Sequence, residues 1–227
     1  MLRDDNVIFQ STGPMGVRVE IGQSLGVLVA IIVLISSGHF ISSIIFAGLL
    51  VLSIFLHEMG HAWGSIVQGV PVRRIMLHGG GGFCEGARSG SARENELIVA
   101  MGPIVNLALW ALASLGQWVL LAVLDGSSSQ ILFQVYGYLG IFAFLNLALF
   151  IFNLIPVQPL DGGKLFHLMM LRVLPQDAAQ RVTGRVGLLL SILWIPAAIA
   201  VWVHFGWILF FIPSIPAHYR MAKGELA

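Results

Sequence analysis

From Phe40 to Val67 the chain carries one charged side chain, Glu58, in an otherwise apolar run. A helix needs about 20 mainly apolar residues to cross the hydrocarbon core of a bilayer. A backbone in lipid must also satisfy its own N–H and C=O groups, which leaves helices and closed barrels as the options. Runs of the same kind recur at 21–35, 97–124, 131–155 and 186–215. The last is long for one span and short for two. Pro196 and the His204-Phe205-Gly206 break favour a fifth span followed by a hairpinned sixth, and five spans remain an alternative. Only 10% of residues are charged and 57% are hydrophobic, against about 25% charged in a soluble domain. The expectation is an all-α integral membrane protein of five or six transmembrane helices, forming a single membrane-embedded domain over residues 1–227 with its core at about 40–173.

Charge placement orients these spans. Arg73, Arg74, Arg88 and Arg93 lie between the second and third, and Lys164, Arg172, Arg181 and Arg185 between the fourth and fifth. The loops after the first and third carry neither Lys nor Arg, so the positive-inside rule puts the basic loops and the N-terminus in the cytoplasm. A net charge of +1 gives no footprint for nucleic acid. The lone Cys84 excludes an internal disulfide and a cysteine-rich zinc site. The polar, mixed-charge first residues do not read as a cleavable signal peptide.

Two segments are neither spans nor ordinary loops. Residues 70–86, VPVRRIMLHGGGGFCEG, open on β-branched residues and close on glycines, which reads as a small membrane-associated strand or hairpin after the second helix. Residues 156–175 begin with prolines that end the fourth helix and restart as a short helix before Pro175.

The chemistry lies in the second span, in His57-Glu58-Met59-Gly60-His61. Residues four apart share a helix face, so both imidazoles can reach one cation with Glu58 beside them. Zinc accepts neutral nitrogen ligands, and a catalytic site leaves one position for water that a neighbouring glutamate can deprotonate. This chain's His and Glu frequencies give roughly 0.006 chance occurrences of the pattern. Ionisable groups inside a span are costly and mark function. A third ligand is required, and Asp161, Glu85, His78, His167 and His204 are available. Asp161 follows a broken helix, where irregular backbone can line a wet cavity; it could equally cap the helix that begins there.

HEMGH, then Gly102-Pro103-x-x-Asn106, then NLIPVQPLDGG across 153–163 occur together and in order. In this they resemble the site-2 protease family of intramembrane zinc metalloproteases, over the second to fourth spans. The resemblance implies one zinc per chain on His57, His61 and Asp161, with Glu58 as general base. It places Asn153 near the site, as an oxyanion or substrate donor or, alternatively, as a packing residue of the fourth span. Gly102 and Asn106 read as close-packing residues. The strand-like segment matches the family's β element. An exposed edge along Val72, Arg73, Arg74, Ile75, Met76 and Leu77, with Gly79 and Gly80 beyond, could hold an unwound substrate by β-addition. The implied substrate is a transmembrane helix, such as an anti-sigma factor or other signalling precursor, in a bacterial or archaeal cell membrane. The chain has no room for an inserted PDZ domain or a terminal CBS pair, so it resembles a minimal form.

Rival readings stand beside this one. Gly22-Gln23-Ser24-Leu25-Gly26 fits a serine-hydrolase nucleophile elbow, but it opens a membrane span without a βα pattern, and Ser24 reads as a polar cap. A different membrane metallopeptidase would use Glu85, Glu94 or Glu96 as third ligand. An inactive metal-binding scaffold or transporter would not require Glu58.

Overall fold

The computed structural model describes residues 5–36, 40–124, 129–205 and 211–225. Contacts divide the chain into two compact units, residues 1–90 with 101–151, and residues 91–100 with 152–227.

In the first unit, strands β1 (Val7–Thr12) and β2 (Arg18–Gly22) form an antiparallel hairpin, which runs directly into helix α1 (Gln23–Ile35). The long helix α2 (Phe40–Val67) leads into a second antiparallel hairpin, β3 (Val72–His78) and β4 (Gly81–Gly86). Strand β2 pairs with β3 in parallel, Val19 opposite Ile75 and Ile21 opposite Leu77, so one sheet runs β1-β2-β3-β4. Alternation in Val17-Arg18-Val19-Glu20-Ile21 produces this pairing. Val17 joins Leu25, Ala62, Ile75 and Leu77 in a buried cluster. Glu20, 2% exposed, bonds Arg18 and Arg74, and Arg74 also bonds Glu85. These pairs tie β2, β3 and β4 together.

This pairing corrects one expectation. Val72–His78 is an interior strand, not an exposed edge, because β2 and β4 occupy both its sides. Ile75, Met76 and Leu77 are 0%, 1% and 3% exposed. The partner strand comes from a segment more than fifty residues away, which no local pattern around Val72 announces. The open edges belong to β1 and β4.

Helix α2 is built inside out. Its buried side chains are Ser43, Ala47, Ser53, His57, Glu58, His61, Ala62 and Ser65, whereas Ile41, Ile44, Leu52, Trp63 and Ile66 are exposed. A lipid-facing helix places its bulky apolar groups outward and keeps small and polar ones for neighbouring helices. Helices α3 (Ala92–Leu124) and α4 (Gln130–Asn153) follow. At Gly60 a Cβ would come within 2.6 Å of the Met101 carbonyl, so only glycine lets α2 and α3 approach this closely.

In the second unit, α5 (Asp161–Leu171) follows the loop that ends α4, and α6 (Gln176–Phe205) precedes the short α7 (Ile215–Lys223). Among the described residues four helices, α2, α3, α4 and α6, are long and apolar enough to cross a membrane, and α1 is a shorter apolar helix. Helix α1 falls in the first expected span but is shorter than a crossing needs. The hairpin proposed after His204 falls partly on 206–210, outside the described residues.

Candidate metal centre

Helical spacing delivers the two histidines as expected. The Nε2 atoms of His57 and His61 lie 3.1 Å apart, with the rings edge-on at 4.7 Å between centroids. Tetrahedral zinc with bonds of 2.0–2.1 Å would hold two nitrogens about 3.3 Å apart, so the pair is already spaced for one ion. His57, Glu58 and His61 are 5%, 5% and 7% exposed.

The tautomer of His57 is fixed by a chain of buried amides. The Phe142 carbonyl can only accept, so it takes a hydrogen from Asn146 Nδ2, which also reaches Ser53 Oγ at 3.0 Å. Asn146 Oδ1 therefore accepts, at 2.8 Å, from Asn106 Nδ2. That leaves Asn106 Oδ1 to accept from His57 Nδ1 at 2.5 Å. With the proton on Nδ1, the lone pair of Nε2 points into the centre, as a metal ligand requires. Asn106, Asn146 and Ser53 are each 0% exposed. Asn106 is thus more than a packing residue. Asn146 and Ser53 were not singled out from sequence, although amides inside apolar spans are the available signal.

Gly102 is required beside them, because a Cβ there would overlap both imidazole rings. On another side of the centre lies β4. A Cβ at Gly82 would come within 2.7 Å of Glu58 Cγ, so the glycine brings β4 backbone directly against the carboxylate side chain.

Asp161, 4% exposed, is the first helical residue of α5. The capping position itself is held by Leu160, which makes no side-chain cap. Asp161 Oδ1 accepts from Lys164 Nζ at 3.2 Å. Gly162 and Gly163 follow; a Cβ on either would overlap the backbone of Leu154–Ile155 or of Val157–Gln158. The preceding loop therefore folds directly onto the start of α5. Asn153, half-buried, ends α4 just before this loop.

Among the described residues, His57 and His61 in the first unit offer two imidazole nitrogens, and Asp161 in the second unit offers a buried carboxylate. Two imidazole nitrogens and a carboxylate oxygen suit zinc and leave a coordination position open. The other third-ligand candidates are engaged elsewhere. Glu85 bonds Arg74 at 2.7 Å, and His204 Nδ1 lies 3.0 Å from the Ala200 carbonyl. His167 lies 3.3 Å from Thr183, and burial lowers its pKa. His78 accepts from the Gly80 N–H at 3.0 Å, and burial likewise lowers its pKa. Ser24 is neither nucleophile nor side-chain cap: its hydroxyl donates to Asp5 and accepts from the Gly79 N–H, tying the hairpin tip to the start of α1.

The model of peptidase family M50 matches residues 111–194. Stage IV sporulation protein FB of Bacillus subtilis is 31% identical over 75% of this chain and 57% of its own length. Zinc metalloprotease MJ0392 of Methanocaldococcus jannaschii is 27% identical over 79% of this chain and 50% of its own. The chain thus spans about half the length of the curated relatives it matches. The solved structure of a site-2 protease from Methanocaldococcus jannaschii shares the fold, with a TM-score of 0.58 at 20% identity over 95% of this chain and 92% of that one. With its histidine pair in an apolar helix and its broken helix before Asp161, the chain is similar in sequence to peptidase family M50 over residues 111–194 and shares the fold of a solved site-2 protease.

Proposed function

We propose that this protein is an intramembrane zinc metalloendopeptidase that hydrolyses a peptide bond in or near the transmembrane helix of a membrane-protein substrate. The observation that carries the reading is the pair of His57 and His61 Nε2 atoms, 3.1 Å apart and buried beside Glu58 in a membrane helix. His57, His61 and Asp161 would hold one zinc. When bound there, the ion supplies Lewis acidity to the scissile carbonyl and lowers the pKa of water. Glu58 would take the proton of the attacking water onto its carboxylate and return it to the departing amine. Asn153 donates to the developing oxyanion or to the substrate backbone.

A substrate helix hides its carbonyls in its own hydrogen bonds and must unwind before it reacts. The open edge of β4 can receive the unwound segment by strand addition. Gly82 brings that strand against Glu58, so an added strand runs close to the base. Residues Val72 to Leu77 then act from behind, as the interior strand that supports β4, and Gly79 and Gly80 lead into the turn. Both basic loops face the cytoplasm, and water reaches the site from that side. The substrate is a single-span signalling precursor of the anti-sigma-factor kind.

The test compares membrane proteins in cells carrying wild type or Glu58→Gln. Accumulation of one uncut single-span protein with the variant, which still retains zinc, is the expected outcome. Cleavage at the wild-type rate by the variant would overturn the mechanism.

A further inference from the structure

Helix α7 is packed unusually close to α6. A Cβ at Gly184 would overlap the backbone at Met221 and Ala222, and one at Gly187 would overlap the His218 ring. Two glycines one helical turn apart thus form a groove that seats α7 and buries His218 to 1% exposure. A buried imidazole needs partners on both nitrogens. His218 Nδ1 lies 2.8 Å from the Ser214 carbonyl, an acceptor only, so it carries the proton; Ser191 Oγ is also near, at 3.3 Å. The opposite nitrogen, Nε2, is then an acceptor, and the Gln158 backbone N–H donates to it at 3.2 Å.

Gln158 lies in the loop that delivers Asp161. That loop is pressed from one side by the backbone contacts that Gly162 and Gly163 permit, and Val157 within it is fully buried. Within the loop, the Leu160 N–H bonds the Val157 carbonyl at 3.0 Å, and the N–H groups of Gly163 and Lys164 bond the Leu160 carbonyl. His218 is a side-chain contact to this turn from α7, outside the 154–171 segment altogether.

Resting on the reading of Asp161 as a metal ligand, we propose that His218 is a positioning residue: its Nε2 fixes the Gln158–Asp161 turn, so that the short helix α7 governs how firmly the third ligand is held. The role needs an acceptor at the Nε2 position and not merely a ring of the right size. Phenylalanine fills the space and cannot accept; glutamine places an amide oxygen near the same point.

The experiment uses full-length protein in detergent or nanodiscs, as wild type, His218→Phe, His218→Gln and Asp161→Ala. Two quantities are read: the rate of zinc loss to a chelator, and hydrogen exchange at the Gln158 amide in zinc-stripped protein. His218→Phe should lose zinc 10- to 100-fold faster, the range for groups supporting metal ligands, and exchange the Gln158 amide at least about 10-fold faster. Tm should stay near wild type, and kcat should fall at unchanged KM. His218→Gln should restore both quantities to within about threefold. Wild-type zinc retention and exchange in His218→Phe would overturn the proposal, as would a His218→Gln protein no better than His218→Phe at equal Tm. If Asp161→Ala releases zinc while His218→Phe does not, the positioning role alone fails. If Asp161→Ala keeps zinc as wild type does, the ligand reading fails and the positioning role with it.

Discussion

The histidine shelf and the aspartate turn are held by different physics. His57 and His61 sit mid-helix, where a four-residue spacing places them on one face and backbone hydrogen bonds keep them there. His57 is further supported by a line of buried polar side chains, the amides of Asn106 and Asn146 and the hydroxyl of Ser53. Asp161 stands at the joint between a loop and a short helix, and its place depends on close backbone packing at Gly162 and Gly163. Regular structure thus fixes the histidines, and loop packing the aspartate. Replacing residues around the histidines should alter tautomer and affinity with little change in fold, while replacing those around the aspartate should move the ligand itself.

The largest effect expected on the histidine side comes from Glu58→Gln, which keeps shape and removes the proposed base. Turnover should fall by about 10²–10⁴-fold, the usual span for general acid–base groups, with zinc content unchanged by metal analysis. Next, Asn106→Leu removes the acceptor that keeps the proton on His57 Nδ1. Zinc affinity should weaken by about 10- to 100-fold, measured by competition with a chromogenic chelator. Asn106→Asp should weaken it less, since a carboxylate still accepts from Nδ1–H. On the aspartate side, Gly163→Ala forces Val157 and Gln158 away from α5. Zinc loss should accelerate while the His57 ring resonances stay unchanged by NMR; equal disturbance of both would erase the distinction between the regions.

The smallest effect concerns the hairpin that carries β4. Burial lowers the pKa of His78, opposed by the charge of Asp5, and its Nδ1 accepts from Gly80. The folded state therefore prefers the neutral ring, so its contribution is complete above the ordinary value of about 6.5. It declines as pH falls from there toward the lowered folded value. Protection of the Gly80 amide, relative to its intrinsic exchange rate at each pH, should fall over that acidic window in wild type and show no such window in His78→Gln.

The contrast also explains what the sequence made readable. The apolar runs and the HEMGH spacing are local and periodic, so four long apolar helices and the paired imidazoles follow from them. The hairpin at β3–β4 was legible from its β-branched start and its glycines. Strand β2 was not, because its partner lies far along the chain, although the alternation Val17 to Ile21 was visible. Asn106 reads as packing in sequence because a helical asparagine looks alike whether it faces a neighbour or a ligand; only the Asn146–Asn106–His57 line distinguishes them. For Asp161, spacing left ligand and cap equal, and the family resemblance favoured the ligand. Here the capping position went to Leu160.

The most direct measurement is zinc K-edge X-ray absorption on purified Glu58→Gln protein, with and without Asp161→Ala. The account predicts one zinc with two imidazole nitrogens and oxygen neighbours at about 2.0–2.2 Å, and loss of the metal when Asp161 is replaced. A fully loaded Asp161→Ala protein with an unchanged spectrum, or a spectrum with sulfur or a single imidazole, would contradict it.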